Sequence, residues 1–185
     1  MKEIIEAIKK SLADENYQAA LFISLSVPDI CGQIQDPQIG NGAGARKWFD
    51  EYMAFKYCPA SLYDSMQVNN PNSIAKKSPE EIQHLKSLPA TVTFTSTQYW
   101  DLRNAFLHNA SVVGKKLTFH LTHSTSHMNV IEDALQLSAK TLCEDICKGL
   151  EKWVADMAAD PVVSARITQT AEVKNVIAGG KIQFF

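Results

Sequence analysis

Three side chains within six residues could together act on a phosphodiester: Arg103, Asn104 and His108, in the run Asp101-Leu-Arg-Asn-Ala-Phe-Leu-His108. An arginine carries a planar fork of N–H donors that matches phosphate geometry. A carboxamide can orient a neighbouring group. An imidazole takes or gives a proton near neutral pH. These are the parts needed to cleave a phosphodiester without a metal.

Spacing places them on a helix. Thr95 or Ser96 opens it as a cap, and the pattern runs to about Asn109. A helix advances about 100° per residue. Asp101, Asn104 and His108 therefore share one stripe, and Tyr99, Leu102 and Phe106 share another that faces the core. Arg103 projects between Tyr99 and Leu107, beside the core stripe. A guanidinium there requires an anionic partner. A phosphate is one; Asp29 and Glu51 are the intramolecular alternatives. In the plainer reading Arg103 pairs with Asp29, locks two helices together and does no chemistry.

The elements around this helix follow from periodicity. Ile4, Ile5, Ile8 and Leu12 give an amphipathic helix over residues 2–12. Asp14 is read as the cap of a second helix to about Gly32, which Pro28 must kink or end. Residues 33–45, with glycines at 40, 42 and 44, read as a flexible loop. They lack the Gly-Lys-Ser/Thr ending of a phosphate cradle. Residues 45–57 form an aromatic-rich helix with Trp48, Phe49, Tyr52 and Met53 on its buried side. Residues 58–93 are irregular apart from a helix start at Ser78-Pro79. Residues 116–121 alternate like a short strand. Residues 132–158 read as one long helix with Leu135, Ala139, Leu142, Ile146, Leu150, Trp153 and Met157 as its core stripe. Asp160-Pro161 starts another helix to about Val176, Gly179-Gly180 stops it, and Lys181–Phe185 is a hydrophobic tail. The expected fold is all-α, an antiparallel helical bundle with minor strand or extended segments. Its units are a bundle over residues 1–158 and a C-terminal helix and tail over 159–185. Residues 95–109 and 132–158 are expected to pack antiparallel.

Composition bounds the function. The 185 residues are 45% hydrophobic and 21% charged with a net charge of -2, which excludes a strongly basic nucleic-acid coat protein. A locally positive cleft stays open, because 18 Lys and Arg are present. No apolar run approaches the roughly 20 residues that span a bilayer. The first residues lack the apolar region of a signal peptide, so a cytoplasmic location and no membrane partner are expected. Cys31, Cys58, Cys143 and Cys147 show no C-x-x-C spacing and read as buried free thiols.

Other constellations compete less well. His120, His123 and His127 are spaced for a metal only if they share a helical face, and their setting reads as a strand end and loop. They could instead flank the cleft. Ser24 and Ser26 lack the G-x-S-x-G turn of a hydrolase nucleophile. Trp48, Tyr52 and Phe55 could stack bases, but their helical spacing favours core packing. No cofactor and no metal are expected.

The run Arg103-Asn-Ala-Phe-Leu-His108 resembles the Arg-(four to six residues)-His signature of the HEPN superfamily, in which a polar residue often follows the arginine. The segment Ala20-Leu-Phe-Ile-Ser-Leu-Ser-Val-Pro-Asp-Ile-Cys-Gly32 resembles stretches of bacterial HEPN-like proteins. The likeness covers roughly residues 15–157. It implies a helical bundle that dimerises so that two motifs face one cleft, and a metal-independent endoribonuclease. By this resemblance His108 transfers the proton, Arg103 stabilises the phosphate and Asn104 orients. Products would carry 2′,3′-cyclic phosphate and 5′-hydroxyl ends, in a defence, stress or toxin–antitoxin setting. The alternative the family also implies is a non-catalytic module that binds a nucleotide or a partner such as an antitoxin.

Overall fold

The second helix of the chain carries apolar residues on nearly every side, and a helix of that kind must be surrounded. The structure, a computed structural model, places it at the centre. It describes residues 1–170, apart from the side chain of Asn41, and the backbone pairing of Val176–Ile177 (β4) with Ile182–Gln183 (β5). The docking of the tail Lys181–Phe185 and the stop at Gly179-Gly180 otherwise lie outside the described residues.

Helix α1 (Lys2–Ala13) and α2 (Tyr17–Gln35) come first. Asn16 caps α2 by accepting from the Ala19 N–H at 3.1 Å, in place of the Asp14 expected from sequence. Asp14 instead ends α1. Pro28 lies inside α2, and the helix continues past Gly32 to Gln35. Helices α1, α3 (Asn41–Tyr52), α8 (Ser96–Asn109), α9 (Ala139–Met157) and α10 (Pro161–Thr168) all pack on α2. Between them come α4 (Ala54–Tyr57), α5 (Leu62–Asn69), α6 (Pro71–Ile74) and α7 (Pro79–Ser87). Residues 58–93, expected to be largely irregular, thus hold three short helices. Ser78 and Glu81 close a capping box at the helix start read at Ser78-Pro79.

The glycines at 42 and 44 are not loop residues; they begin α3. A Cβ on Gly32 would lie 2.5 Å from the Gly44 carbonyl carbon. α2 and α3 therefore cross backbone on backbone, a contact only glycine permits. That crossing brings Trp48, Phe49 and Tyr52 into the core, where Phe49 stacks on Tyr99 at 4.8 Å and meets Phe94 edge-on at 5.5 Å. Truncating a buried aromatic of this kind to alanine costs about 3–5 kcal/mol.

The fold is mainly helical, with a small sheet in strand order β1-β3-β2. β1 (Thr118–Thr122) runs parallel to β3 (Ala134–Ser138), and β2 (Asn129–Ile131) runs antiparallel to β3. This corrects the single helix expected over 132–158: its first residues form β3, and the helix begins at Ala139. Leu135 belongs to the strand, and all five β3 residues are buried. A strand buried on both faces does not alternate, so its leucines fell into register with the helical stripe that follows. The expected direct pairing of α8 with α9 is also corrected. Both rest on α2 and α3 and are not a principal pair themselves. α10 ends at Thr168, short of Val176. Its Arg166 donates to the Ile34 and Gln35 carbonyls at 3.0 and 3.2 Å, closing the C-terminus of α2.

Candidate functional site

The position of α8 is fixed at both ends. Thr95 and Gln98 form a capping box, and Ala110 closes the helix in the left-handed region with φ 48°. Tyr99, Leu102, Ala105 and Phe106 are buried. Tyr99 donates its hydroxyl to the Leu25 carbonyl at 2.7 Å, tying α8 to α2 beside Pro28. Asp29 follows that proline and meets the flank of α8.

Arg103 spends its donors on three partners. Nη2 donates to Asp29 Oδ2 at 2.8 Å, with the two side chains 15% and 13% exposed. Nη1 donates to Asn104 Oδ1 at 3.1 Å and lies 3.1 Å from His108 Nε2. Arginine has no acceptor, so Nε2 offers its lone pair in this contact and the ring proton sits on Nδ1. The guanidinium carbon also lies 4.9 Å from the Trp100 ring, which Arg46 approaches at 6.0 Å. All three residues picked from sequence are thus brought together. The intramolecular partner of Arg103 is Asp29, not Glu51.

His108 is exposed and opens onto a groove of about 220 Å³ bordered by Asp101, Asn104, Val113 and Lys115. Asp101 Oδ2 accepts the backbone N–H groups of Lys115 and Lys116 at 2.8 and 3.2 Å. Asp101 therefore builds the groove wall.

The Arg103–Asp29 pair is end-on, not a two-bond fork. Among the described residues it leaves Asp29 Oδ1 and Arg103 Nε buried without a hydrogen-bond partner, and Gln33 Nε2, one turn further along α2, is in the same state. Each such group costs about 1–3 kcal/mol of stability.

The other histidines do not converge. His123 packs on Tyr17 with ring centres 4.5 Å apart, and His120 lies on β1. His127 belongs to a part-buried network. Its Nδ1 accepts the Ser138 N–H at 3.0 Å, and its Nε2–H donates to the Tyr57 hydroxyl at 3.1 Å. Tyr57 donates to Asp145 Oδ2 at 3.0 Å, and Lys56 donates to the same oxygen. Burial, helped by the Lys56 charge and opposed by Asp145, pushes the His127 pKa down from 6.5 to about 4. Burial and the Asp145 charge push the Tyr57 hydroxyl well above its ordinary value. Among the described residues no three His, Cys, Asp or Glu side chains are grouped to hold a metal ion. Sequence reasoning missed this network. Its available signal was Asp145, a carboxylate one residue before Ile146 in the apolar stripe of α9.

Ser24 is buried and Ser26 donates to the Phe22 carbonyl at 2.8 Å, so neither pairs with a histidine. Trp48 and Tyr52 are core residues, whereas Phe55 is 70% exposed, contrary to the core packing its spacing favoured. Cys31, Cys143 and Cys147 are buried free thiols, while Cys58 is half-buried. No helix among the described residues is long and apolar enough to cross a membrane.

Comparison with known proteins returns no match: no family model, no curated protein and no solved structure resembles this chain closely enough to assign it.

Proposed function

We propose that this chain is a metal-independent endoribonuclease of HEPN-like type that works as a homodimer, with Arg103, Asn104 and His108 as its reacting group. The observation that carries the reading is an exposed imidazole whose Nε2 lies 3.1 Å from a part-buried guanidinium, at the mouth of a groove.

The chemistry is a transesterification. When Arg103 turns from His108 to the bound phosphate, the Nε2 lone pair it occupied is released and takes the proton of a ribose 2′-hydroxyl. The 2′-oxygen attacks the adjacent phosphorus, the bond from phosphorus to the 5′-oxygen breaks, and a 2′,3′-cyclic phosphate forms. Arg103 offsets the charge that builds on the nonbridging oxygens. Asn104 Oδ1 holds the guanidinium in place. The leaving 5′-oxygen needs a proton, and a base that has just been protonated on the attacking side is not placed to supply it. The imidazole of a second copy across a two-fold axis is. Phe22, 41% exposed on α2 and tilted against Phe106 of α8 with ring centres 4.9 Å apart, offers apolar surface for such a contact.

A second reading rests on a specific observation: Arg103 already has an anion, Asp29. On that reading the pair is a lock between α2 and α8, and the chain is a non-catalytic module that binds a nucleotide or a protein partner. The test is incubation of the full chain with total RNA in EDTA, followed by mapping of the ends. The nuclease reading expects 2′,3′-cyclic phosphate and 5′-hydroxyl ends. Intact RNA at micromolar protein would leave the second reading standing. Measuring the solution mass checks the dimer, and a strict monomer at that concentration would overturn it.

A further inference from the structure

We infer that Arg46 is a second phosphate-binding residue of this site, one that engages the phosphate next to the scissile one and so selects an internal bond of an RNA strand over an isolated dinucleotide. The inference rests on the nuclease reading, which places the scissile phosphate at Arg103, and it adds to that site a residue from another helix.

Two guanidinium groups converge on one indole. The guanidinium carbon of Arg103 lies 4.9 Å from the centre of the Trp100 ring, and that of Arg46 lies 6.0 Å from it. Trp100 and Arg103 are one turn apart on α8, whereas Arg46 comes from α3. Gly42 permits the approach. A Cβ there would stand 3.0 Å from two atoms of the Trp100 ring and press on the indole. Without it the half-buried ring rests against the start of α3, and Arg46, one turn beyond Gly42, reaches the same ring as Arg103.

The two cations differ in what answers them. Arg103 is paired with Asp29 at 2.8 Å. Among the described residues no carboxylate pairs with Arg46. Asp50, the carboxylate one turn further along α3, instead accepts from the Ser96 hydroxyl of α8 at 3.0 Å. A guanidinium held beside another without an anion of its own is opposed by like-charge repulsion. Attraction to the ring face offsets only about 0.5–1 kcal/mol of that at an exposed site. A polyanion relieves the repulsion outright. A strand whose scissile phosphate meets Arg103 carries its next phosphate one nucleotide away, and Arg46 stands on the same ring to receive it. The planar fork of a guanidinium matches that phosphate. A dinucleotide joined by a single phosphate has nothing to offer Arg46.

The test measures binding of the full chain to a short 2′-O-methyl oligoribonucleotide, whose blocked 2′-oxygens prevent cleavage, over a series of salt concentrations. Each phosphate contact on a single strand contributes about 0.7 to the slope of log affinity against log salt. Arg46→Gln should lower the slope by about that amount and weaken binding about five- to ten-fold at low salt. Arg46→Lys keeps the charge and should restore most of the slope. Lys86→Gln, on exposed α7 surface, should leave slope and affinity as they are. Where Arg46→Gln lowers the melting temperature, Arg46→Met carries the test, because it keeps an apolar stem on the ring and removes only the charge. With cleavable RNA, the rate advantage of an oligonucleotide over a dinucleoside monophosphate should shrink by the same five- to ten-fold in the charge-removing variant. An unchanged slope, or an undiminished rate advantage, overturns the proposal and leaves Arg46 a structural contact of Trp100. A slope that depends on Arg46 in a protein that leaves RNA intact supports the phosphate contact and removes the nuclease reading. RNA cleavage in EDTA with a slope indifferent to Arg46 does the reverse.

Discussion

Two regions of this molecule are built from the same parts and differ in how completely those parts are used. On α8, Arg103 pairs with Asp29 and touches His108. In the second turn of α9, Asp145 pairs with Lys56 and accepts from Tyr57, which touches His127. In the second region both ring nitrogens of His127 are engaged and Asp145 Oδ2 takes two donors. In the first, His108 faces solvent, and Asp29 Oδ1, Arg103 Nε and the nearby Gln33 Nε2 have no partner among the described residues. A saturated network rigidifies a core. An unsaturated one leaves buried polar atoms that cost stability. The exposed His108 is therefore the one to test for chemistry, and the more enclosed His127 the one to test for stability.

Removing one charge from each region should break the symmetry most visibly. Asp145→Ala leaves the Lys56 ammonium and the Tyr57 hydroxyl without their acceptor and should destabilise the protein by about 3–5 kcal/mol, read by urea unfolding. Asp29→Asn keeps the shape of its site and should cost only about 1–3 kcal/mol. It also frees the Arg103 charge, so RNA binding by a His108→Ala background should tighten as Asp29 is neutralised. Equal destabilisation by the two variants, with no change in RNA affinity, would make the regions equivalent.

Acid should act on the second region. The folded-state pKa of His127 is about 4, below the 6.5 of the free group. Its contribution to stability is therefore full above pH 6.5 and is lost as pH falls through about 4. Within that window each pH unit should remove on the order of 1 kcal/mol, less some screening because the ring is only part-buried. Comparing wild type with His127→Gln across the window isolates this slope; identical pH profiles would refute it.

The smallest effect concerns the thiols. Burial pushes Cys143 up to about 12 and Cys147 up to about 11, and raises Cys31 as well. Cys58, half-buried and less enclosed, should be the first alkylated by iodoacetamide at neutral pH. Mass mapping that finds Cys31 or Cys143 modified first would contradict the packing described for α2 and α9.

The helices and the trio on α8 were legible because their signals are local. Thr95, Gln98 and the Tyr99–Leu102–Phe106 stripe fix the helix and its rotation, and rotation alone places Asn104 and His108 together. The pairing of Arg103 with Asp29 was legible only as one of two carboxylates, since choosing between them requires knowing how α2 crosses α8. β3 was not legible because its buried leucines continue the helical stripe of α9. The role of Gly42 and Gly44 was hidden for a related reason: the sequence carries the flexibility of glycine, but not that Gly32 presses against Gly44. The Asp145 network spans Lys56 to Asp145, and no local pattern joins residues so far apart.

The most direct test of the central claim measures RNA cleavage in EDTA and melting temperature on the same His108→Ala protein. The melting temperature should be unchanged, because His108 is exposed, and cleavage should fall on the order of 10²–10⁴-fold. Cleavage at the wild-type rate by His108→Ala, or a wild type that leaves RNA intact, would contradict it.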